Sequence, residues 1–174
     1  MIDALCSNSM FDRAYDLIET MAKNKCPPNT VTFNVFIKGL CVKGKLDWAI
    51  ELFDEMDNKH GCVPNVTTYN EVLDGFMFKE DKNSRRAFEF VSEMGKKGVR
   101  FNLVTYNTVI HGLCMCGKIE EVRRCLGRMI VEGIKPDQFT FNALVYGYAK
   151  NGMVEKGMAF HEDSSAHNNK SSDG

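Results

Sequence analysis

The side chains best able to do chemistry in this chain recur at a fixed spacing. A Thr-aromatic-Asn triplet stands at Thr32-Phe33-Asn34, Thr68-Tyr69-Asn70, Thr105-Tyr106-Asn107 and Thr140-Phe141-Asn142, with the asparagines 36, 37 and 35 residues apart. A primary amide donates and accepts hydrogen bonds at once, so one amide per repeat suits recognition. Catalytic arrangements are missing from the sequence. No His stands at catalytic spacing from a Cys, Ser or carboxylate, and there is no HExxH, phosphate-binding P-loop or nucleophile elbow. The expectation is a protein that is not an enzyme, with no catalytic residues, no cofactor and no small-molecule substrate.

Metal binding fails on spacing. Of the seven cysteines, Cys114 and Cys116 are separated by a single residue and have neither a second pair nor a His partner at zinc-site spacing. The repeat register accounts better for the thiols. Cys6, Cys41 and Cys114 share a position near the end of a first helix, and Cys26 and Cys62 share another near the end of a unit. Cysteine is expected there as a small core residue, in its reduced form.

The elements that must position the amides follow from hydrophobic periodicity. Phe33, Phe36, Ile37, Leu40 and Cys41 form the stripe of an amphipathic helix. Thr32 is placed to cap it. Gly44 interrupts the pattern, and a second stripe follows at Leu46, Ala49, Ile50, Phe53 and Met56, with Asp47 in its first turn. Val63-Pro64-Asn65 then stops the second helix, as Ile134-Lys135-Pro136-Asp137 does later.

Each unit is therefore a helix–turn–helix hairpin, and the expected organisation is an array. Residues 1–29 read as a partial repeat that starts inside a helix, followed by repeats at 30–65, 66–102 and 103–137, a partial repeat at 138–160 and a disordered polar tail at 161–174. The repeat at 66–102 carries two extra residues and no glycine in its polar turn, Lys79 to Arg86, so a longer loop is expected there. Two unfinished ends without a polar capping helix suggest a piece of a longer array.

Net charge is −1, so a purely electrostatic grip on a phosphate backbone would be modest. No apolar run reaches the roughly 18 residues of a membrane span. The first residues do not read as a signal or transit peptide.

The chain resembles the pentatricopeptide repeat family in its P-type units of about 35 residues. The resemblance rests on Leu103-Val104-Thr105-Tyr106-Asn107-Thr108-Val109-Ile110-His111-Gly112-Leu113-Cys114, on the Gly-Lys-Leu or Gly-Lys-Ile turns, and on the Met-x-x-x-Gly-Ile-x-Pro-Asp ending at Asp137. It covers about residues 1–160. It implies an all-α, right-handed superhelical solenoid that binds single-stranded RNA at one base per repeat. It further implies that base choice rests on the residue after Thr-aromatic together with the last residue of the unit. Those pairs are Asn34 with Asn65, Asn70 with Asn102, and Asn107 with Asp137, whereas Asn142 and Asn29 lack partners.

Asn favours pyrimidine edges. Asp137, which only accepts, would hold Asn107 in one orientation, whereas an Asn–Asn pair leaves either orientation open. The family's pattern then implies uracil for Asn–Asp and cytosine, tolerant of uracil, for Asn–Asn, or 5′-C/U-C/U-U-3′. Val31, Thr67, Val104 and Phe139 would sandwich the bases, with Thr67 the weakest of the four. The family often places a lysine near the end of the first helix, and here that position holds Val42, Phe78, Met115 and Lys150. Transcript processing, stabilisation or translation in mitochondria or plastids, alongside other RNA-processing proteins, is the role the resemblance implies.

Plainer readings stand beside these. Each Asn is also a polar residue that a first helical turn tolerates by bonding free backbone N–H groups. Phe33, Tyr69, Tyr106 and Phe141 start the apolar stripes and read as core. His111 reads as surface and His60 as linker, and the doublets Arg85-Arg86, Lys96-Lys97 and Arg123-Arg124 read as solvated helix faces. The rival function is a helical-repeat scaffold for protein–protein interaction.

Overall fold

The structure, a computed structural model, describes residues 1–24, 26–77 and 84–153. Among the described residues the regular elements are helices: α1 (Ile2–Ser7), α2 (Phe11–Lys23), α3 (Thr30–Val42), α4 (Leu46–Asn58), α5 (Val66–Met77), α6 (Ser84–Lys96), α7 (Leu103–Met115), α8 (Ile119–Val131) and α9 (Gln138–Lys150). They belong to two compact units, Met1–Arg100 and Phe101–Gly174. In the first unit α1 packs on α2, α3 on α4 and α5 on α6, while the leading helices also pack on one another, α1 on α3 and α3 on α5. In the second, α7 packs on both α8 and α9.

The leading helices start at reciprocal caps. Asn29 Oδ1 accepts the Thr32 N–H at 2.9 Å while the Asn29 N–H donates to Thr32 Oγ1 at 3.4 Å. Asn65 with Thr68 makes the same two bonds at 3.1 Å each, Asn102 with Thr105 at 3.0 and 3.3 Å, and Asp137 with Thr140 at 2.9 and 3.1 Å. These capping boxes correct the expectation that Thr32 caps its helix. The linker Asn or Asp begins the helix three residues earlier, and the threonine is its reciprocal partner. An extended Asn29, φ −116° and ψ 175°, turns its side chain onto an N–H that no helical carbonyl can reach.

The hairpin turn uses left-handed backbone. Gly44 (φ 72°) and Gly117 (φ 69°) follow α3 and α7. At the first of these the Gly44 N–H reaches Cys41 O at 2.9 Å and the Lys45 N–H reaches Leu40 O at 2.8 Å, closing the free carbonyls. After α1 the same place holds Ser9 at φ 59°, a conformation unfavourable for a residue with a Cβ.

The core lies inside and between hairpins. Phe33, Phe36, Ile37, Leu40, Met56, Met94 and Met129 are fully buried, each side chain contributing about 1.5–3 kcal/mol relative to exposure. The recurring methionines also anchor the exit from the second helix. The N–H groups of Cys62, Val99 and Ile134 bond the carbonyls of Met56, Met94 and Met129 at 2.7, 3.1 and 3.0 Å.

The cysteine and glycine of the repeat explain each other. Cys6, Cys41 and Cys114 are buried. A Cβ built on Gly39 would stand 2.6 Å from Cys6 Cβ, one on Gly75 would stand 2.5 Å from Cys41 Sγ, and one on Gly147 would collide with Cys114 Cβ and Sγ. At these three places, α1 on α3, α3 on α5 and α7 on α9, a larger residue at the glycine must displace its neighbour.

Three expectations need correction. Leu52 joins the α4 core where Ile50 was expected, and Ile50 is half-buried. Cys26 is exposed and Cys62 half-buried, so that shared position is no core site. His60 is more than a linker residue: its side chain is only 5% exposed, packs on the Phe33 ring at 5.2 Å and sets Nε2 3.4 Å from Glu19. The end of the polar stretch Lys79 to Arg86 lies in α6, which begins at Ser84, with Arg85 paired to Glu89 and Arg86 to Asp47. The rest of that loop, and the expected tail, lie outside the described residues.

Candidate nucleic-acid interface

The repeated amides fall on equivalent places because their helices start in register. Asn34, Asn70, Asn107 and Asn142 are each the fifth residue of α3, α5, α7 and α9. Val31, Thr67, Val104 and Phe139 are each the second residue of the same helices, one turn before the amide. The fifth position lies past the first four N–H groups, which are the ones a helix leaves free. Asn34 and Asn107 therefore do not satisfy first-turn backbone, and the plainer reading of them is set aside.

They reach across to the next repeat instead. Asn34 Oδ1 accepts the Thr68 hydroxyl at 2.7 Å. That hydroxyl lies 3.2 Å from Asn65 Oδ1 and accepts the Asn65 backbone N–H at 3.1 Å. The side chains expected to pair, Asn34 and Asn65, are thus brought together around one buried threonine. Thr68 is fully buried, Asn34 half-buried and Asn65 exposed. In this arrangement the oxygen of the Asn34 amide faces the Thr68 hydroxyl.

The second unit repeats the arrangement with an acid. Asn107 Nδ2 donates to Asp137 Oδ1 at 3.0 Å, and Asn107 Oδ1 accepts the Thr140 hydroxyl at 2.5 Å. Asp137 Oδ1 also receives the Thr140 N–H at 2.9 Å. Partial burial would raise the Asp137 pKa, but hydrogen bonds from the Thr140 backbone, the Asn107 amide and the Thr140 hydroxyl outweigh it and hold the carboxyl below its usual range. Asp137 is then an ionised acceptor at neutral pH, which is the state that orients Asn107.

The other predicted residues divide. Asn70, in the first unit, is 8% exposed, and Asn102, in the second, is half-buried and caps α7. Asn142 is exposed and accepts from Gln138 Nε2 at 3.0 Å on its own helix. The residues expected to sandwich bases are all exposed: Val31 at 67%, Val104 at 56%, Phe139 at 75%, and Thr67. Solvated apolar side chains one turn from a fixed amide are available to stack against a flat ligand.

Only one repeat keeps a lysine at the end of its first helix. Lys38 faces Glu71 at 3.9 Å, Lys150 Nζ donates to Met115 O at 3.3 Å, and the lysine position of α3 holds an exposed Val42. Among the described residues no group of His, Cys, Asp and Glu could hold a metal ion, and no helix is long and apolar enough to cross a membrane.

Sequence reasoning treated Thr68 and Thr140 only as members of a motif. The signal was present, since the threonine recurs as faithfully as the asparagine. A side chain that bonds 34 residues back cannot be read from local spacing.

Models of the PPR repeat family match residues 1–42, 28–77, 64–115 and 101–150, and a single-repeat model matches 139–164. The Arabidopsis thaliana pentatricopeptide repeat-containing protein At3g09650, chloroplastic, is 31% identical over 156 residues, 89% of this chain and 20% of its own length. The Arabidopsis protein At2g18520, mitochondrial, is 26% identical over 91% of this chain and 36% of its own length. The chain thus spans a fifth to about a third of these relatives. Crystal structures of PPR10 from maize, and of PPR10 in complex with an 18-nt psaJ RNA element, align with TM-scores of 0.73 and 0.72 at 23% and 22% identity. Each alignment covers 95% of this chain, and 23% and 24% of those chains. At that identity the likeness shows the fold, an all-α solenoid of helical hairpins.

Proposed function

The chain belongs to the pentatricopeptide repeat family, and we propose that it binds single-stranded RNA through the leading turns of its first helices, one base per repeat, with a preference for pyrimidines. The observation that carries this reading is the recurrence, once in each unit, of an amide held against the next repeat's cap by a buried threonine, beside an exposed apolar side chain. A peptide groove has no reason to repeat one oriented amide at every step.

The chemistry of the pairs sets the base. At Asn107 and Asp137 an N–H donor stands next to a carboxylate acceptor, which complements the carbonyl and imino N–H of uracil. At Asn34 and Asn65 both oxygens face Thr68 groups, so the site offers N–H donors, which complements the ring nitrogen and carbonyl of cytosine and tolerates uracil. Asn70 and Asn102 hold the same register positions. The motif is 5′-C/U-C/U-U-3′, with Val31, Thr67, Val104 and Phe139 as the stacking side chains.

With a net charge of −1 and a lysine at the end of the first helix in only one repeat, Lys150, affinity rests on bases more than on phosphates, and its salt dependence is shallow. The structure of PPR10 with RNA supports an RNA ligand. Relatives named chloroplastic and mitochondrial support work in a plastid or mitochondrion, on transcript processing, stabilisation or translation with other RNA-processing proteins.

The test is a titration of short RNAs carrying CCU, UUU or an all-purine run at two salt concentrations, beside Asn107→Ala. Pyrimidine preference that falls with the substitution supports the reading. Equal affinity for all three RNAs refutes it and favours the protein scaffold.

A further inference from the structure

Base choice by an amide requires that its oxygen and nitrogen be told apart, and a lone Asn at a groove turns freely between two orientations about half a turn apart. The bonding around Thr68 favours one of them. Its Oγ1 carries one proton. One lone pair is occupied by the Asn65 backbone N–H at 3.1 Å, and two oxygens compete for the proton, Asn34 Oδ1 at 2.7 Å and Asn65 Oδ1 at 3.2 Å. The shorter contact takes it. Asn65 Oδ1 keeps a partner in the Thr68 backbone N–H at 3.1 Å. Asn34 sits oxygen inward, with its Nδ2 hydrogens directed away from the threonine.

The same logic operates at Thr140. Its Oγ1 accepts the Asp137 backbone N–H at 3.1 Å and donates to Asn107 Oδ1 at 2.5 Å, again in preference to the cap oxygen at 3.0 Å. Thr68 and Thr140 are fully buried, so water does not compete for these hydroxyls. Two copies in separate units, one with an Asn cap and one with an Asp cap, share the threonine-to-amide bond, and in the second the Asp137 carboxylate also accepts from Asn107 Nδ2 at 3.0 Å.

We propose that Thr68 and Thr140 are positioning residues for base choice: each buried hydroxyl fixes the amide of the preceding repeat with its N–H groups toward the base. Readout at one step thus depends on a residue of the following repeat that never touches RNA. The inference rests on the RNA-binding reading above.

The test uses the full chain with Thr68→Val, which keeps the shape and loses the hydroxyl, and Thr68→Ser, which keeps the hydroxyl. Binding is measured by fluorescence anisotropy to short RNAs that differ only at the base facing Asn34 and Asn65, or only at the base facing Asn107 and Asp137. Circular dichroism checks that each variant remains helical. Thr68→Val should reduce pyrimidine-over-purine discrimination at the Asn34 step by roughly threefold to tenfold, the range expected for one net hydrogen bond. It should leave the Asn107 step unchanged, and Thr68→Ser should restore the ratio. Undiminished discrimination in Thr68→Val overturns the proposal, as does an equal loss at both steps, which would mark a general loss of structure. A wild-type chain that shows no base preference at either step overturns the RNA reading itself, and the proposal with it.

Discussion

Gly147→Ala tests how closely the leading helices approach. In an unobstructed helix, replacing Gly with Ala stabilises by about 1 kcal/mol. Gly127, in the interior of α8, supplies that reference, since a Cβ there meets nothing within 4 Å. At Gly147, in α9, the added Cβ collides with Cys114 Cβ and Sγ and comes within 3.2 Å of Cys114 Cα. Cys114 is fully buried on α7, so it cannot swing aside. Overpacking of this kind costs about 1–3 kcal/mol. Gly147→Ala should therefore range from neutral to about 2 kcal/mol destabilising, while Gly127→Ala gains about 1 kcal/mol. Both residues lie in the same unit, so urea unfolding followed by far-ultraviolet circular dichroism compares them within one transition. Adding Cys114→Ala to Gly147→Ala should recover only part of the loss, because Cβ and Cα stay in place. If Gly147→Ala stabilises as much as Gly127→Ala, the close approach of α7 and α9 is wrong.

Other outcomes follow from the same geometry. Asn29→Ala removes a capping box and should cost about 1 kcal/mol in urea unfolding, whereas Asn29→Ser should be close to neutral. Native-state alkylation read by mass spectrometry should label the exposed Cys26 first. Burial, with the charges of Glu71 and Asp74, pushes the Cys41 thiol up to about 12, and burial pushes Cys114 to about 11, so both should react only after unfolding. The depressed Asp137 pKa adds stability that is complete above the ordinary carboxylate value near ~4 and lost as pH falls through the lower folded value. Between pH 5 and pH 3, Asp137→Asn should consequently lose less stability than the wild type, and equal slopes would contradict the assignment.

The parts of the fold set by local periodicity were legible in the sequence. The stripe of Phe33, Phe36, Ile37 and Leu40 is buried as its spacing requires, and Gly44 and Gly117 take the left-handed turn. The helix starts were misread because Asn29 and Thr32 are both good caps, and only the reciprocal pair of bonds shows which one begins the helix. Ser9 replaces the turn glycine after α1, where propensity alone gives no warning. Contacts between repeats were illegible for a different reason. Cys41 under Gly75, His60 against Phe33 and Thr68 on Asn34 each depend on how neighbouring helices register, and pattern within one repeat carries no record of that. The candidate amides were found from repetition, and what holds them was found only from geometry.

The central claim is that the last side chain of a repeat, with the amide before it, chooses a base. Asp137→Asn probes this most directly, since Asn caps a helix about as well as Asp, and Thr140 still holds Asn107. Affinities are measured for RNAs that vary only at the third step. The preference there should move from uracil toward cytosine, with the preference at the Asn34 step unaltered. An unmoved uracil preference, or a uniform loss of binding with no change in base order, would contradict it.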